Sequence, residues 1–398
     1  MVCLPERVAA LTPTAVNSIL AEVNEIRQRG GAPVSLMRGE PDLPTPSHIV
    51  EAAVAALHNG RTGYPDNRGE PSLRKAVAAK LARDNRVAYD AGDEILVTTG
   101  ATLGIYAALV SLLHQGDDVL LPDPVYDAYL SPIRLAGANP RPVTARREND
   151  RFLIDRDALE KAWTPACRAL LLNTPWNPVG TVFTKAELEA IASFVLEKDL
   201  VLLSDEIYET ILYDGAAHLS PAALSPEVRA KTVLINSLSK TYAMTGWRVG
   251  YCAAPSKLIG PMLLVLQQAS RGPATFVQDA AVAALTGPQD CVAQMSVEYA
   301  RRRAEVTGQL DGAGGCHVLA PEGGFFAMAD ITPFGLPSNE VRRRLLNDAG
   351  VVVAHGSAYG PGGEGLLRIS FASGGAALQS GLGRLRGGLE ALGAERNR

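Results

Sequence analysis

The chain has 398 residues, 47% of them hydrophobic and 20% charged, which is too apolar for a disordered protein and long enough for two domains with buried cores. Lys and Arg number 38 against 42 for Asp and Glu, a formal net charge of -4, so no global field recruits nucleic acid or an anionic membrane. Five cysteines (Cys3, Cys167, Cys252, Cys291, Cys316) lack any C-x-x-C pair and read as thiols in a reducing compartment. No charged start followed by an apolar core opens the sequence, so a cytoplasmic location is expected.

In chain order, helical periodicity over 14–29 and 47–57 precedes a stretch of short β-rich runs at 95–98, 119–121, 168–172, 201–203, 232–235 and 249–253. Helical patterns alternate with these runs, which predicts strands joined by crossover helices in a mostly parallel sheet. The longest mostly apolar run, 101–113, is interrupted by Gly104 and Ser111 and falls short of the roughly 20 residues that span a bilayer. Thr184-Lys-Ala-Glu187 is a capping box, and Leu188, Ile191, Ala192, Val195 and Leu196 follow it at helical spacing. Helical patterns return at 256–269 and 290–310. The tail from Gly314 alternates glycine turns with strand candidates at 324–329 and 366–371, which predicts a smaller α+β unit. Of the 38 glycines, 20 lie between Gly308 and Gly393.

Several familiar chemistries lose their usual signals. Gly360-Pro-Gly362-Gly-Glu-Gly365 satisfies G-x-G-x-x-G but precedes a strand, whereas a dinucleotide fingerprint follows one. No G-x-x-x-x-G-K-[ST], G-x-S-x-G or H-E-x-x-H occurs, and the six histidines share no metal-ligand spacing. No metal is expected.

The positive signal is Ser237-Leu-Ser239-Lys240-Thr-Tyr-Ala-Met-Thr-Gly246-Trp-Arg248-Val-Gly250, directly after a strand candidate. A lysine behind hydroxyls, with an arginine eight residues on between glycines, suits an imine to an aldehyde while the hydroxyls and arginine bind a phosphate. Pyridoxal 5'-phosphate carries both groups. Asn173-Thr-Pro-Trp-Asn177-Pro178-Val-Gly180 and Ser204-Asp205-Glu206-Ile-Tyr208 also follow strand candidates, so their side chains reach the same sheet edge as Lys240. A carboxylate there holds a pyridine nitrogen protonated, and Asn and Tyr donors stabilise a phenolate oxygen. Asp205, Asn177 and Tyr208 suit these parts.

With these motifs the chain resembles the class I/II aminotransferases of fold type I, pyridoxal-phosphate enzymes typified by aspartate aminotransferase. The likeness runs from Leu36-Met-Arg-Gly39-Glu40-Pro41-Asp42 to Leu367-Arg368-Ile-Ser-Phe371. It implies that Lys240 carries the cofactor as an internal aldimine and then shuttles a proton, that Asp205 pairs with the ring nitrogen, and that Asn177 and Tyr208 reach the phenolate oxygen. Ser237, Ser239, Arg248 and the N–H groups of Ala101 and Thr102 would cradle the phosphate, and Tyr126 would stack on the ring. Arg368, assisted by Gly39, would grip the substrate α-carboxylate. Tyr64 would cross to the phosphate of a neighbouring subunit, which makes the working unit a homodimer. The implied activity moves an amino group between an α-amino acid and a 2-oxo acid. The implied domains are an N-terminal segment (1–47), a large cofactor domain (48–288) and a small C-terminal domain (289–398), joined by the N-terminal segment and carrying Arg368.

Four positions stand apart from the pattern. Thr102 occupies the place where an aspartate-preferring branch has lysine, and Arg271 is an alternative cation. His355 is either an additional acid or base or a loop substitution, and Trp176 either walls the pocket or packs. A second reading keeps cofactor and fold but ends in elimination, replacement, cyclisation or oxidation. A third, a ligand-sensing module of a DNA-binding regulator, lacks a basic appendage.

Overall fold

The computed structural model describes residues 5–9 and 11–396; Cys3 lies outside them. Seven strands form the large sheet in the order 95–98, 250–253, 232–237, 201–205, 167–173, 118–123, 139–144. All run parallel except Gly250–Ala253, which is antiparallel to both of its neighbours. Helices cover both faces, so these strands are apolar on both sides and read as continuous hydrophobic runs rather than alternating ones. Leu234 packs with Ile95 and Val97 on one face, while Val233 and Ile235 pack with Leu96 on the other. The crossover helix Lys185–Glu197 begins with the predicted capping box at Thr184 and Glu187 and buries Leu188, Ile191 and Val195.

The edge strand Asn139–Thr144 is absent from the sequence reading, because Pro140 and Pro142 argue against a strand interior. Its register explains the tolerance. Asn139 and Ala145 donate their N–H groups to the carbonyls of Asp117 and Asp123. Odd-numbered residues therefore face the sheet, and the prolines sit where the N–H would point off the open edge.

A second sheet has the order 317–319, 326–330, 366–370, 354–355. Val34–Ser35 pairs in parallel with Val351–Val352, which ties the N-terminal segment to the C-terminal part of the chain. The glycine-rich tail has the mixed helix and strand content expected of it, but it includes a helix where the sequence reads only as glycine turns and short strands. Its last part is a 22-residue helix, Gly375–Arg396, that contains six glycines and buries Leu378, Leu382, Leu385, Leu389 and Leu392. Close approach explains several of them. A Cβ on Gly381 would meet Leu36 Cδ2 at 2.7 Å, and one on Gly393 would meet the Gly314 carbonyl oxygen at 2.5 Å. Among the described residues no helix is long and apolar enough to cross a membrane.

Candidate active site

Topology gathers the motifs. The parallel strands end at Thr98, Asp123, Asn173, Asp205 and Ser237, so the loops after them share one edge of the sheet. The antiparallel strand begins at that edge, with Gly250 opposite both Thr98 and Ser237. This is why Arg248 lies before its strand while the other site residues follow theirs. A cavity of about 620 Å³ opens here and is lined by every residue to which the resemblance gives a cofactor or substrate role except Tyr64, while Trp176, Arg271 and His355 lie outside it.

Lys240 sits on the short helix Leu238–Thr241, capped by Ser237 Oγ, which accepts from Ser239 N at 3.0 Å. Its Nζ donates to the Gly39 carbonyl at 2.6 Å. Burial, reinforced by Arg248 and opposed by Glu40, pushes its pKa down to about 8, which brings the neutral amine within reach of ordinary pH. Asp205 accepts from Tyr129 Oη at 2.6 Å and from Ile207 N at 3.3 Å. Burial pushes its carboxyl up to about 6 against these donors. A carboxyl held there gains from any cationic partner that arrives in the cavity.

The opposite chemistry occurs at Gly100. This residue has φ +80° and caps the helix Ala101–Leu112 without a side-chain cap, leaving the first N–H groups unpaired. Arg248 lies against it, with Nη2 2.7 Å from where a Cβ would be. The guanidinium donates to the Thr245 carbonyl at 2.9 Å and has no carboxylate partner among the described residues. A Cβ on Gly250 would meet the Asn236 carbonyl at 2.8 Å and Ala101 N at 2.9 Å, so only glycine leaves the cradle open. Open N–H groups, a helix N-terminus and a free guanidinium fit a phosphate.

Arg368 is 2% exposed on the strand Leu366–Ser370, yet no carboxylate touches it among the described residues. Its Nη1 donates to Asn177 Oδ1 at 3.3 Å and its Nη2 to the Met37 carbonyl at 3.1 Å, while the buried Nε has no partner. Phe326 lies under the guanidinium at 4.1 Å. A buried cation with a spare donor needs an anion, and the planar fork suits a carboxylate. Asn177 is set by its N–H to Asn173 Oδ1 at 2.7 Å. Tyr208 is buried edge-on to Phe325 and Phe326, and Tyr126 meets Tyr129 edge-on at 5.3 Å.

The cavity includes residues that sequence reasoning missed. Tyr129 orients Asp205, and Asp127, one residue after Tyr126, accepts from Ala15 N at 2.7 Å and so joins the start of helix Ala15–Gln28 to the site. Thr14, Val16 and Asn17 thereby become part of its wall. No local signal announces a contact across 112 residues. Glu40 accepts from Thr245 Oγ1 at 2.9 Å, a partner 205 residues away that its local motif does not announce.

Other positions fall outside. Tyr64 is 84% exposed and carries the Arg271 guanidinium over its ring at 4.7 Å. Trp176 is a packing residue: it stacks on Phe183 and donates to the Pro124 carbonyl at 2.9 Å. His355 bonds Ser357 Oγ at 2.7 Å away from the cavity lining, which removes it as an acid or base there. Gly362 of the G-x-G-x-x-G segment donates to the Asp123 carboxylate rather than offering itself to a phosphate. Glu206, Glu209 and His218 come within 4.8 Å of one another, but a cation is already built in: Lys80 bonds Glu209 and Asn85.

One cavity thus gathers a buried lysine, a strand-end carboxylate, an anion cradle and an arginine with no carboxylate partner among the described residues. Residues 33–379 match the model of the family aminotransferase class I and II. The aspartate aminotransferase of Bacillus sp. (strain YM-2) is 36% identical over 93% of this chain and 95% of its own length. Aromatic-amino-acid aminotransferase 2 of Thermococcus litoralis is 39% identical over 93% and 94%. The solved structure of Thermus thermophilus aspartate aminotransferase with maleate superposes with a TM-score of 0.91 at 35% identity, covering 98% of this chain and all of that one. The chain belongs to the class I and II aminotransferase family, an enzyme that transfers amino groups.

Proposed function

We propose that this aminotransferase uses pyridoxal 5'-phosphate, held by the residues of the 620 Å³ cavity, to move the amino group of an α-amino acid to a 2-oxo acid. The observation that carries this reading is the pair of unmet electrostatic needs in one cavity. Among the described residues no side chain caps the Ala101 helix, no carboxylate of the chain pairs with Arg248 beside it, and the buried Arg368 Nε has no partner. When bound, the cofactor supplies an electron sink for the pair left behind when a proton leaves the substrate α-carbon.

The chain's own residues do the rest. Lys240 Nζ, with a lowered pKa, would hold the cofactor and, once released from it, would take the proton that leaves the substrate α-carbon. Asp205, oriented by Tyr129, holds a proton at the ring nitrogen. Asn177 and Tyr208 would hold the cofactor at its phenolate oxygen, Ser237, Ser239, Arg248, Ala101 and Thr102 at its phosphate, and Tyr126 at its ring. Arg368 fixes the α-carboxylate, with Gly39 alongside, and thereby aims the α-hydrogen at the lysine. Tyr64, exposed on its own chain, serves the phosphate of a second copy in a homodimer. Residues 48–288 form the cofactor domain, and 289–398 with the N-terminal segment 1–47 the smaller one, in the cytoplasm.

The test is an amino-donor panel read by absorbance. Donors should bleach the lysine-bound cofactor and 2-oxo acids should restore it; release of ammonia, a thiol or peroxide without that exchange contradicts transamination. Arg368→Leu should lower kcat/KM for amino acids by about a hundredfold or more while cofactor affinity stays nearly intact. Loss of cofactor instead would contradict the assignment.

A further inference from the structure

Six charged side chains line the cavity among the described residues: the cations Lys240, Arg248 and Arg368, and the carboxylates Glu40, Asp127 and Asp205. On the reading above, on which this inference rests, each cation is committed. Lys240 holds the cofactor, Arg248 its phosphate and Arg368 the substrate α-carboxylate. Among the described residues of this chain, a second substrate carboxylate finds no further cation in the cavity wall. It meets carboxylates instead, because Asp205 serves the ring, Glu40 is tied to Arg38 and Thr245, and Asp127 stands in the wall.

Asp127 is the telling one. It is 9% exposed, with Oδ2 accepting from Ala15 N at 2.7 Å and Oδ1 without any partner. The wall residues Thr14, Val16 and Asn17 from the start of the N-terminal helix, with Ala128 and Pro132, are uncharged, while burial raises the Asp127 carboxyl's pKa and the Ala15 N–H and the Arg368 guanidinium oppose that rise. Like charges brought together in a site of low local dielectric repel strongly. We propose that the site selects amino donors with uncharged side chains and that Asp127 is the specificity-determining residue that rejects dicarboxylates. The nearest alternative cation suggested by sequence, Arg271, is stacked on Tyr64 outside this cavity.

The test compares isosteric donors, aspartate against asparagine and glutamate against glutamine, in single turnovers of the cofactor-loaded enzyme. Succinate and butyrate are titrated calorimetrically as a readout independent of turnover. Asparagine should exceed aspartate by about tenfold or more in second-order rate constant. Asp127→Asn keeps an acceptor for Ala15 N–H and removes the charge. It should bring that ratio toward one, mainly by a gain for aspartate, and should tighten succinate while leaving butyrate unchanged. A wild type that prefers aspartate overturns the inference, and loss of that preference in Arg271→Gln would locate the missing cation on a second copy. An unchanged ratio in Asp127→Asn overturns it as well. A loaded enzyme that reacts with no donor overturns the reading of the site itself, and this inference with it.

Discussion

Lys240 and Asp205 are displaced from their ordinary pKa values in the directions that burial dictates, the amine down to about 8 and the carboxyl up to about 6. Cofactor uptake by the cofactor-free protein needs the neutral amine, so its rate should climb with pH toward about 8 and then level; a flat profile in stopped-flow absorbance contradicts this. Asp205 binds its proton more tightly folded than unfolded. Its contribution to stability is therefore most favourable below the unfolded pKa of 3.8 and is lost as pH rises through about 6. Asp205→Asn should accordingly stabilise the cofactor-free protein near neutral pH by roughly 1 to 3 kcal/mol and weaken the cofactor. Denaturant melts that show equal stability near neutral pH would contradict it. Lys240, Asp205, Asn177 and Arg248 were legible because each stands in a short motif beside one strand. Asp127 and Thr14 were not, since only folding brings Ala15 to Asp127.

Elements were legible where burial leaves a periodic trace. The helices Ser256–Ala269 and Asp290–Leu310 lie where their apolar spacing places them. The final helix is hidden in the sequence because glycine ordinarily signals a turn, whereas packing against Leu36, Leu345 and Gly314 demands small residues inside a helix. Gly393→Ala should cost about 1 to 3 kcal/mol by driving a methyl into the Gly314 backbone. Gly383, exposed on the same helix with nothing within 4 Å of a Cβ, gives the opposite sign, and Gly383→Ala should stabilise by about 0.5 to 1 kcal/mol. Thermal or urea melts check both, and a stable Gly393→Ala would contradict the close approach. The edge strand Asn139–Thr144 was hidden by prolines that its position at the rim makes harmless.

At the scale of the molecule, the site draws on both sheets. The large sheet supplies Lys240, Asp205 and the anion cradle, and the smaller one supplies Arg368. The fold class was legible because strands buried on both faces alternate with helices, while pairing of Val34–Ser35 with Val351–Val352 depends on contacts that no local pattern records. Tyr64 is 84% exposed and outside its own cavity, and the proposed role at the phosphate of a second copy requires a dimer. The protein should sediment at twice its chain mass, and Tyr64→Ala should lose cofactor faster on dialysis; a monomer, or a Tyr64→Ala that retains cofactor as wild type does, contradicts shared sites. The most direct measurement on the central claim is borohydride reduction of the cofactor-loaded protein followed by peptide mass analysis. A single phosphopyridoxyl group should map to Lys240 and be absent from Lys240→Ala, whereas no label, or a label on another lysine, would contradict the account.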